Sequence, residues 1–469
     1  MTVGRTFHAA AVYILLAGLQ RGMPLIILPF ITQVMAPAEY GAASMLTAAA
    51  LLLTTVIAPL EALVFRAAAR GGDDAEEMLR VAGVYCYLIV PAVAAVTACL
   101  VFFSVPTFLG VRGHIWGIEL LAVGFQPAMT YFALPVVQAR QKLARFTVLA
   151  STSVLLMAAS KISLLLVWRL GVLGWVISDL ATALVSAAMA MILVRPPQVK
   201  ASWKHVRSAA NFSIPLIPHR VSFWSISSLS RPAMAAVSSL TQVGLLSLGM
   251  NVASVASLLL SETNRAVLPG YSRESFPAPT KETLAIVRVQ ITLAFAVPAT
   301  VGAGLALVGQ FIFSEPYWPS FGLTGILLVG QAAFGLYLVP VNYLVQAAGE
   351  TRAIALASGG GAILMLGALL GLGRTYGAWG AAFATAGGFL AMALLALSLP
   401  RLIRVEIRWR SWLRYWPEVL LAMSALFGAV VALALPVGSW AGRAVAAVCV
   451  VLSAAALVRS ARRAGILKV

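Results

Sequence analysis

APAEYGAAS (residues 36–44) and SLTQVGLLS (residues 239–247) are two versions of one turn into a helix, set 203 positions apart (36 to 239). Gly41 matches Gly244 and Ser44 matches Ser247. Two further pairs keep nearly the same spacing. VQARQKLARFTVLAS (137–151) is similar to VQAAGETRAIALAS (345–358), and Gly171 and Gly174 precede one apolar run as Gly377 and Gly380 precede another. The chain therefore reads as an internal duplication. Each copy spans six apolar runs, an even number, so the copies share one orientation. Parallel repeats of this kind, related by an axis along the membrane normal, place a substrate site between the halves.

Of the 469 residues, 61% are apolar and 10% charged, against about 25% charged in a soluble domain. A soluble globular protein is excluded. At about 20 residues per span, the composition supplies on the order of fourteen helices. The runs place them at 8–33, 40–66, 80–104, 115–139, 145–168 and 171–194, then at 208–237, 242–268, 283–313, 321–347, 353–373 and 376–399, and finally at 417–436 and 439–458. The expected fold is an all-α integral membrane protein: a six-helix lobe over 1–200, a second over 201–400, and 401–469 as a basic interfacial segment followed by two extra helices. No room remains for a nucleotide-binding or catalytic domain, which argues against ATP-driven pumping by this chain. The first apolar run reads as a span rather than a signal peptide, because no small-residue cleavage motif follows it.

The 33 Lys and Arg outnumber the 15 Asp and Glu, for a net +18. In a membrane protein this excess reads as loop bias rather than nucleic-acid binding. With the N-terminus inside, 24 of the 33 basic residues fall in inside connections, and four, Arg112, Arg169, Arg374 and Arg443, fall outside. A bias that alternates loop by loop predicts both termini in the cytoplasm. Cys86, Cys99 and Cys449 lie in apolar runs without C-x-x-C spacing, so neither a disulfide framework nor a zinc site is expected, and no cofactor is called for. The Gly359–Gly361 run, with Gly367, Gly371 and Gly373, suits close helix packing; no P-loop Lys follows it.

LPFITQVMAPAEYGAASMLTAAALLL (28–53), with Arg66 closing the second helix, resembles the opening of polysaccharide and O-antigen flippases of the MOP superfamily, which also contains lipid II flippases and multidrug antiporters. SRPAMAAVSSLTQVGLLSLGMNVASV (230–255) has the shape of that family's second half. The resemblance covers roughly residues 5–400. It implies two six-helix lobes around a cavity of alternating access, and the flipping of an undecaprenyl-pyrophosphate-type lipid-linked oligosaccharide to the outer leaflet of the cytoplasmic membrane, for surface polysaccharide biosynthesis. Its partners would be that lipid-linked sugar, membrane lipids, and a polysaccharide polymerase with its chain-length machinery. One departure stands out: where members often carry Asp-Arg in the seventh helix, this chain has Ser230 and Arg231.

Ionisable groups deep in a bilayer mark pathways or paired networks. Arg21 and Arg220 fall near the middle of equivalent helices, with Arg231 nearer the outer face. Together they would make a cationic cavity at the lobe interface, where guanidinium groups hold a diphosphate through bidentate hydrogen bonds. Arg288, close to the cytoplasmic end, reads as snorkelling. Candidates for ion coupling are Glu61, Asp179, Glu262 and His219. Lys161 and Asp179, on adjoining helices at similar depth, should form an ion pair in the outer third of the first lobe. Pro24, Pro29, Pro215 and Pro218 predict bent helices at the cavity wall. The alternatives are a multidrug or cation antiporter, for which an acidic cavity would be expected, and a membrane polysaccharide polymerase or ligase, for which a large outer loop would be expected; a structural scaffold also stays open.

Overall fold

Backbone groups in hydrocarbon must be satisfied within their own segment, so long apolar runs become helices. The computed structural model describes residues 16, 19, 22–200, 202–272, 280–347, 352–402 and 416–465. Among them, twelve helices are long and apolar enough to cross a bilayer. In the first half they are α2 (Pro37–Ile57), α4 (Asp73–Ser104), α5 (Gly113–Ala139), α6 (Leu143–Val167) and α7 (Gly171–Leu193). In the second they are α11 (Leu240–Ser272), α12 (Lys281–Ile312), α13 (Ser320–Gln346), α14 (Arg352–Tyr376), α15 (Ala378–Leu402), α16 (Pro417–Ala434) and α17 (Trp440–Arg463). The other two of the fourteen expected positions are helices one and seven. Of the first, α1 (Gly22–Val34) is described.

Helix seven, expected as one piece over 208–237, is broken. It comprises α8 (Trp203–Ser213), a 3-10 turn at Ile214–Leu216, α9 (Ile217–Trp224), a π turn at Ser225–Leu229 and α10 (Ser230–Val237). Pro215 and Pro218 remove two backbone donors at the first break. Helix two is also divided, because Pro59 starts a separate α3 (Pro59–Arg70) after Ala58. Helix three, α4, begins earlier than the apolar run: DDAEE (73–77) is its first turn and a half, where acidic side chains favour a helix N-terminus.

The chain forms two compact units, Met1–Trp224 and Ser225–Val469. Their boundary lies later in sequence than the polar linker at 195–207, and the last two helices belong to the second unit. Side-chain contacts explain the first point. α8 packs on α3 and the start of α4, where His205 meets Asp74 through Nε2 (2.9 Å) and Glu77 through Nδ1 (3.0 Å). The Trp224 indole N–H donates to the Ala48 carbonyl at 3.0 Å. In the second unit, α16 and α17 pack on α12.

Large apolar side chains cover the outside: Leu88 is 65% exposed, Phe103 79%, Ile363 73% and Phe427 73%. Lipid, not water, is the solvent such a surface suits. Inside, close approach replaces hydrophobic drive. A Cβ on Gly361 would lie 2.8 Å from the Gly388 carbonyl oxygen, so α14 and α15 touch backbone to backbone, whereas Gly367 and Gly371 have nothing within 4 Å and play no such part.

The duplication is visible in one repeated joint. Gly171 (φ +54°) and Gly377 (φ +56°) are both left-handed and both open the sixth helix of their half. The side chain three residues into each repeated motif fills the space beside them: a Cβ would lie 3.0 Å from Glu39 Oε1 at Gly171 and 2.8 Å from Gln242 Oε1 at Gly377. Gln242 Oε1 accepts from the Ala378 N–H at 2.9 Å. Glu39 Oε2 accepts from the Ala36 N–H at 3.2 Å. Among the described residues, π turns also interrupt the spans at Tyr85–Ile89 and Ala128–Ala133, and form the last described turn of α6 at Ile162–Val167 and of α13 from Tyr343.

Candidate functional site

In the first unit, the basic candidate Arg220 lies on α9, the short helix that the prolines release, and its side chain is exposed. Among the described residues it forms no ion pair. α9 packs on α2, and the charges of Arg220 and Glu61 both reach Tyr131, which lies beside Thr54, whose hydroxyl donates to the Leu51 carbonyl at 3.0 Å. Glu61, exposed in the first turn of α3, follows directly on the Pro59 break. Arg220, Glu61, Tyr131 and Thr54 thus form a polar group at two helix breaks. An unpaired guanidinium with a phenol and a carboxylate nearby can hold an anionic, hydroxyl-rich ligand. Arg21 lies outside the described residues, as does the His219 side chain, and so do residues 403–415 of the basic stretch.

Deeper in that unit, Lys161 Nζ is 2.9 Å from Asp179 Oδ1, the ion pair expected from the sequence. The Trp175 ring covers the ammonium, 3.6 Å from its centroid. Ser160 and Ser178, one position before each partner, share a hydrogen bond of 2.6 Å across the same two helices. Glu119, on α5, is buried beside the pair. It is not among the sequence candidates, although a lone carboxylate within GHIWGIELLAVGF (113–125) is the intramembrane signal that singles out such residues.

In the second unit, Arg231 Nη2 donates to Asn251 Oδ1 at 2.8 Å. An amide one helix away thus meets the arginine in a chain that has Ser230 beside it. Glu262 and Arg265 pair at 3.0 Å with side chains 45% and 59% exposed, an arrangement that contributes little. The Tyr271 hydroxyl donates to Gln290, whose Nε2 donates to Asn264 Oδ1 at 2.8 Å, and Asn264 also bonds Asn342. Neutral amides give no charge signal in the sequence, and this network escapes it. Arg288 does not snorkel. Its Nε is 3.4 Å from Oε1 of the fully buried Glu418, its guanidinium lies over Trp416, and Arg463 Nη1 reaches Glu418 Oε2 at 3.1 Å. This cluster fastens α16 and α17 to α12.

The architecture is that of known transporters. The chain aligns with the lipid II flippase MurJ in an inward closed conformation with a TM-score of 0.70 and 11% identity, over 97% of this chain and 99% of that one. With an inward-facing multidrug resistance MATE family transporter of the MOP superfamily the TM-score is 0.58, at 12% identity, over 83% and 94%. With a mutant of the Vibrio cholerae MATE transporter VcmN it is 0.50, at 15% identity, over 84% and 96%. Identities this low establish the fold. Among curated proteins, none matches the chain in sequence. A family model described as polysaccharide biosynthesis protein matches residues 8–274.

Proposed function

Since the chain belongs to the polysaccharide biosynthesis protein family, we propose that it flips a lipid-linked oligosaccharide of the undecaprenyl-pyrophosphate type from the inner to the outer leaflet of the cytoplasmic membrane, by alternating access. The observation that carries the proposal is the exposed guanidinium of Arg220, without an ion pair among the described residues, on a membrane helix broken by Pro215 and Pro218. A charge kept in that position without a partner needs a reason other than folding. A diphosphate ester supplies one, because its oxygens accept the planar fork of a guanidinium. The fold of a protein named for flipping lipid II supports the same substrate class. In this reading Arg21 and Arg231 join Arg220 in holding the diphosphate, while Glu61, Asp179, Glu262 and His219 are the candidates for ion coupling. Both termini lie in the cytoplasm, the two sequence repeats occupy 1–200 and 201–400 with 401–469 following them, and the flipped product passes to a polymerase and its chain-length machinery.

The test is polymer export in a deletion strain complemented with variants at matched membrane abundance. Loss of a charge-assisted bond is worth about 1.5–3 kcal/mol, so Arg220→Ala should lower export by roughly ten- to a hundred-fold, and Arg220→Lys should keep part of it. Wild-type export by the double variant Arg21→Ala, Arg220→Ala would overturn the diphosphate site and favour the multidrug antiporter.

A further inference from the structure

The first unit holds a carboxylate that diphosphate binding does not use. Glu119 is 4% exposed, and its Oε2 has no hydrogen-bond partner among the described residues. The two charges that act on it are Asp179 and Lys161. Those two already neutralise each other at 2.9 Å, with side chains 24% and 8% exposed. Ionised, Glu119 would therefore add an uncompensated negative charge beside the like charge of Asp179. Buried carboxylates in that position take up a cation or become neutral.

All three groups sit at one level. Glu119 is six residues from Gly113, Asp179 eight from Gly171, and Lys161 six from Val167, or about 9, 12 and 9 Å from their helix ends at 1.5 Å per residue. The other titratable groups of this helix and of the elements packed against it have other surroundings. On α5, His114 packs edge-on against Phe102 and Tyr131 lies about three turns further along. On α2, Glu39 holds the Ala36 N–H and Tyr40 packs edge-on against Trp175. On α4, Tyr85 and Cys86 lie in the π turn, Tyr87 donates to the Val194 carbonyl, and Cys99 is exposed, as is Arg112 before α5.

We propose that Glu119, Asp179 and Lys161 form a proton-binding site in which the Glu119 carboxyl carries the proton. The proton comes from water, enters past Asp179, the most exposed of the three, forms one O–H bond on Glu119, and leaves as it came. A metal cation fits less well, because the Lys161 ammonium already occupies the cationic position beside Asp179 and a second positive charge would stand against it. A proton instead removes a charge. When it leaves, Lys161 faces two carboxylates instead of one and is drawn from Asp179 toward Glu119. The helix gives way where this pull is felt, since a π turn begins at Ile162, the next residue. Occupancy of Glu119 thereby sets the position of α6 against α7. The site deepens the transport reading, and rests on it only for the work the proton does.

The experiment is pH-difference infrared spectroscopy of the full-length chain in lipid nanodiscs. The wild type should show a protonated carboxylic acid signal that disappears as pH rises; Glu119→Gln should abolish it and Glu119→Asp should restore it at a shifted frequency. Because the amide copies the neutral acid, Glu119→Gln should unfold at the wild-type temperature, whereas an anion serving only to pair with Lys161 would make it less stable. An unchanged difference spectrum in Glu119→Gln overturns the site, and so does a Glu119→Gln chain that does not fold. A signal that moves with sodium concentration assigns the site to sodium and overturns the proton. The spectra need no substrate, so they stand or fall independently of any assay for flipping a lipid-linked sugar.

Discussion

Lys161 and Asp179 show how a charge pair in a membrane lobe can be read and tested. Their 2.9 Å contact is backed by the Trp175 ring and the Ser160–Ser178 bond, so removing one partner strands the other in a poorly hydrated place. Breaking a buried pair costs about 3–5 kcal/mol, and the partial exposure of Asp179 puts this one at or below the lower end. Lys161→Met and Asp179→Asn should each lower the unfolding temperature, and the double variant should unfold above the worse single one. A double variant no better than that single would show that the two charges stabilise nothing together. The pair was legible because Asp179 is the lone charge of its apolar run, Lys161 is the lone charge of its run beyond Arg145 at the start, and the runs adjoin through a short loop. Glu119 was not legible as their neighbour. It comes from a helix earlier in the chain, and which face of α5 meets α7 depends on packing that no local pattern records.

At the scale of elements, the repeated joint makes the sharpest demand on sequence. A residue other than glycine in the left-handed region costs about 1–2 kcal/mol, and at Gly171 and Gly377 an added Cβ would also press on Glu39 and Gln242 at 3.0 and 2.8 Å. Gly171→Ala and Gly377→Ala should both lower the unfolding temperature, whereas Gly367→Ala, whose Cβ would meet nothing within 4 Å, should leave it unchanged. Equal behaviour of all three would remove the structural meaning of the repeat. The glycines could be paired from sequence because the motifs around them had already been aligned. The bends at Pro215 and Pro218 were equally plain, since proline marks its own effect. The early start of α4 was hidden, because DDAEE is polar and reads as a connection when only apolar runs are counted.

For the whole molecule, the alternation of basic residues predicts sidedness loop by loop. Reporter fusions at Ala201 and Ser411 should read as cytoplasmic, and fusions at Ala38 and Ser320 as external. An external signal at Ala201 would invert one half and end the parallel-repeat description. Membrane class, the approximate number of helices and the repeated motifs were legible because composition and spacing are properties of the linear chain. The boundary at Trp224 and Ser225 was not. It is fixed by where side chains settle after folding, with His205 between Asp74 and Glu77 and Trp224 on the Ala48 carbonyl, and the polar linker that draws attention in the sequence ends well before it.

The π turns have a consequence for how such a chain can change over time. Each holds one residue more than an α-helical turn would, and three of them have regular helix on both sides: Tyr85–Ile89 within α4, Ala128–Ala133 within α5 and Ser225–Leu229 between α9 and α10. Elsewhere in a span, gaining or losing one residue would rotate everything beyond it by about 100°, turning lipid-facing side chains inward. At a π turn the extra residue is already looped out of register, so it can be lost, and the faces on either side stay where they were. These spans therefore carry built-in slack, placed where their length can drift without exchanging inside for outside.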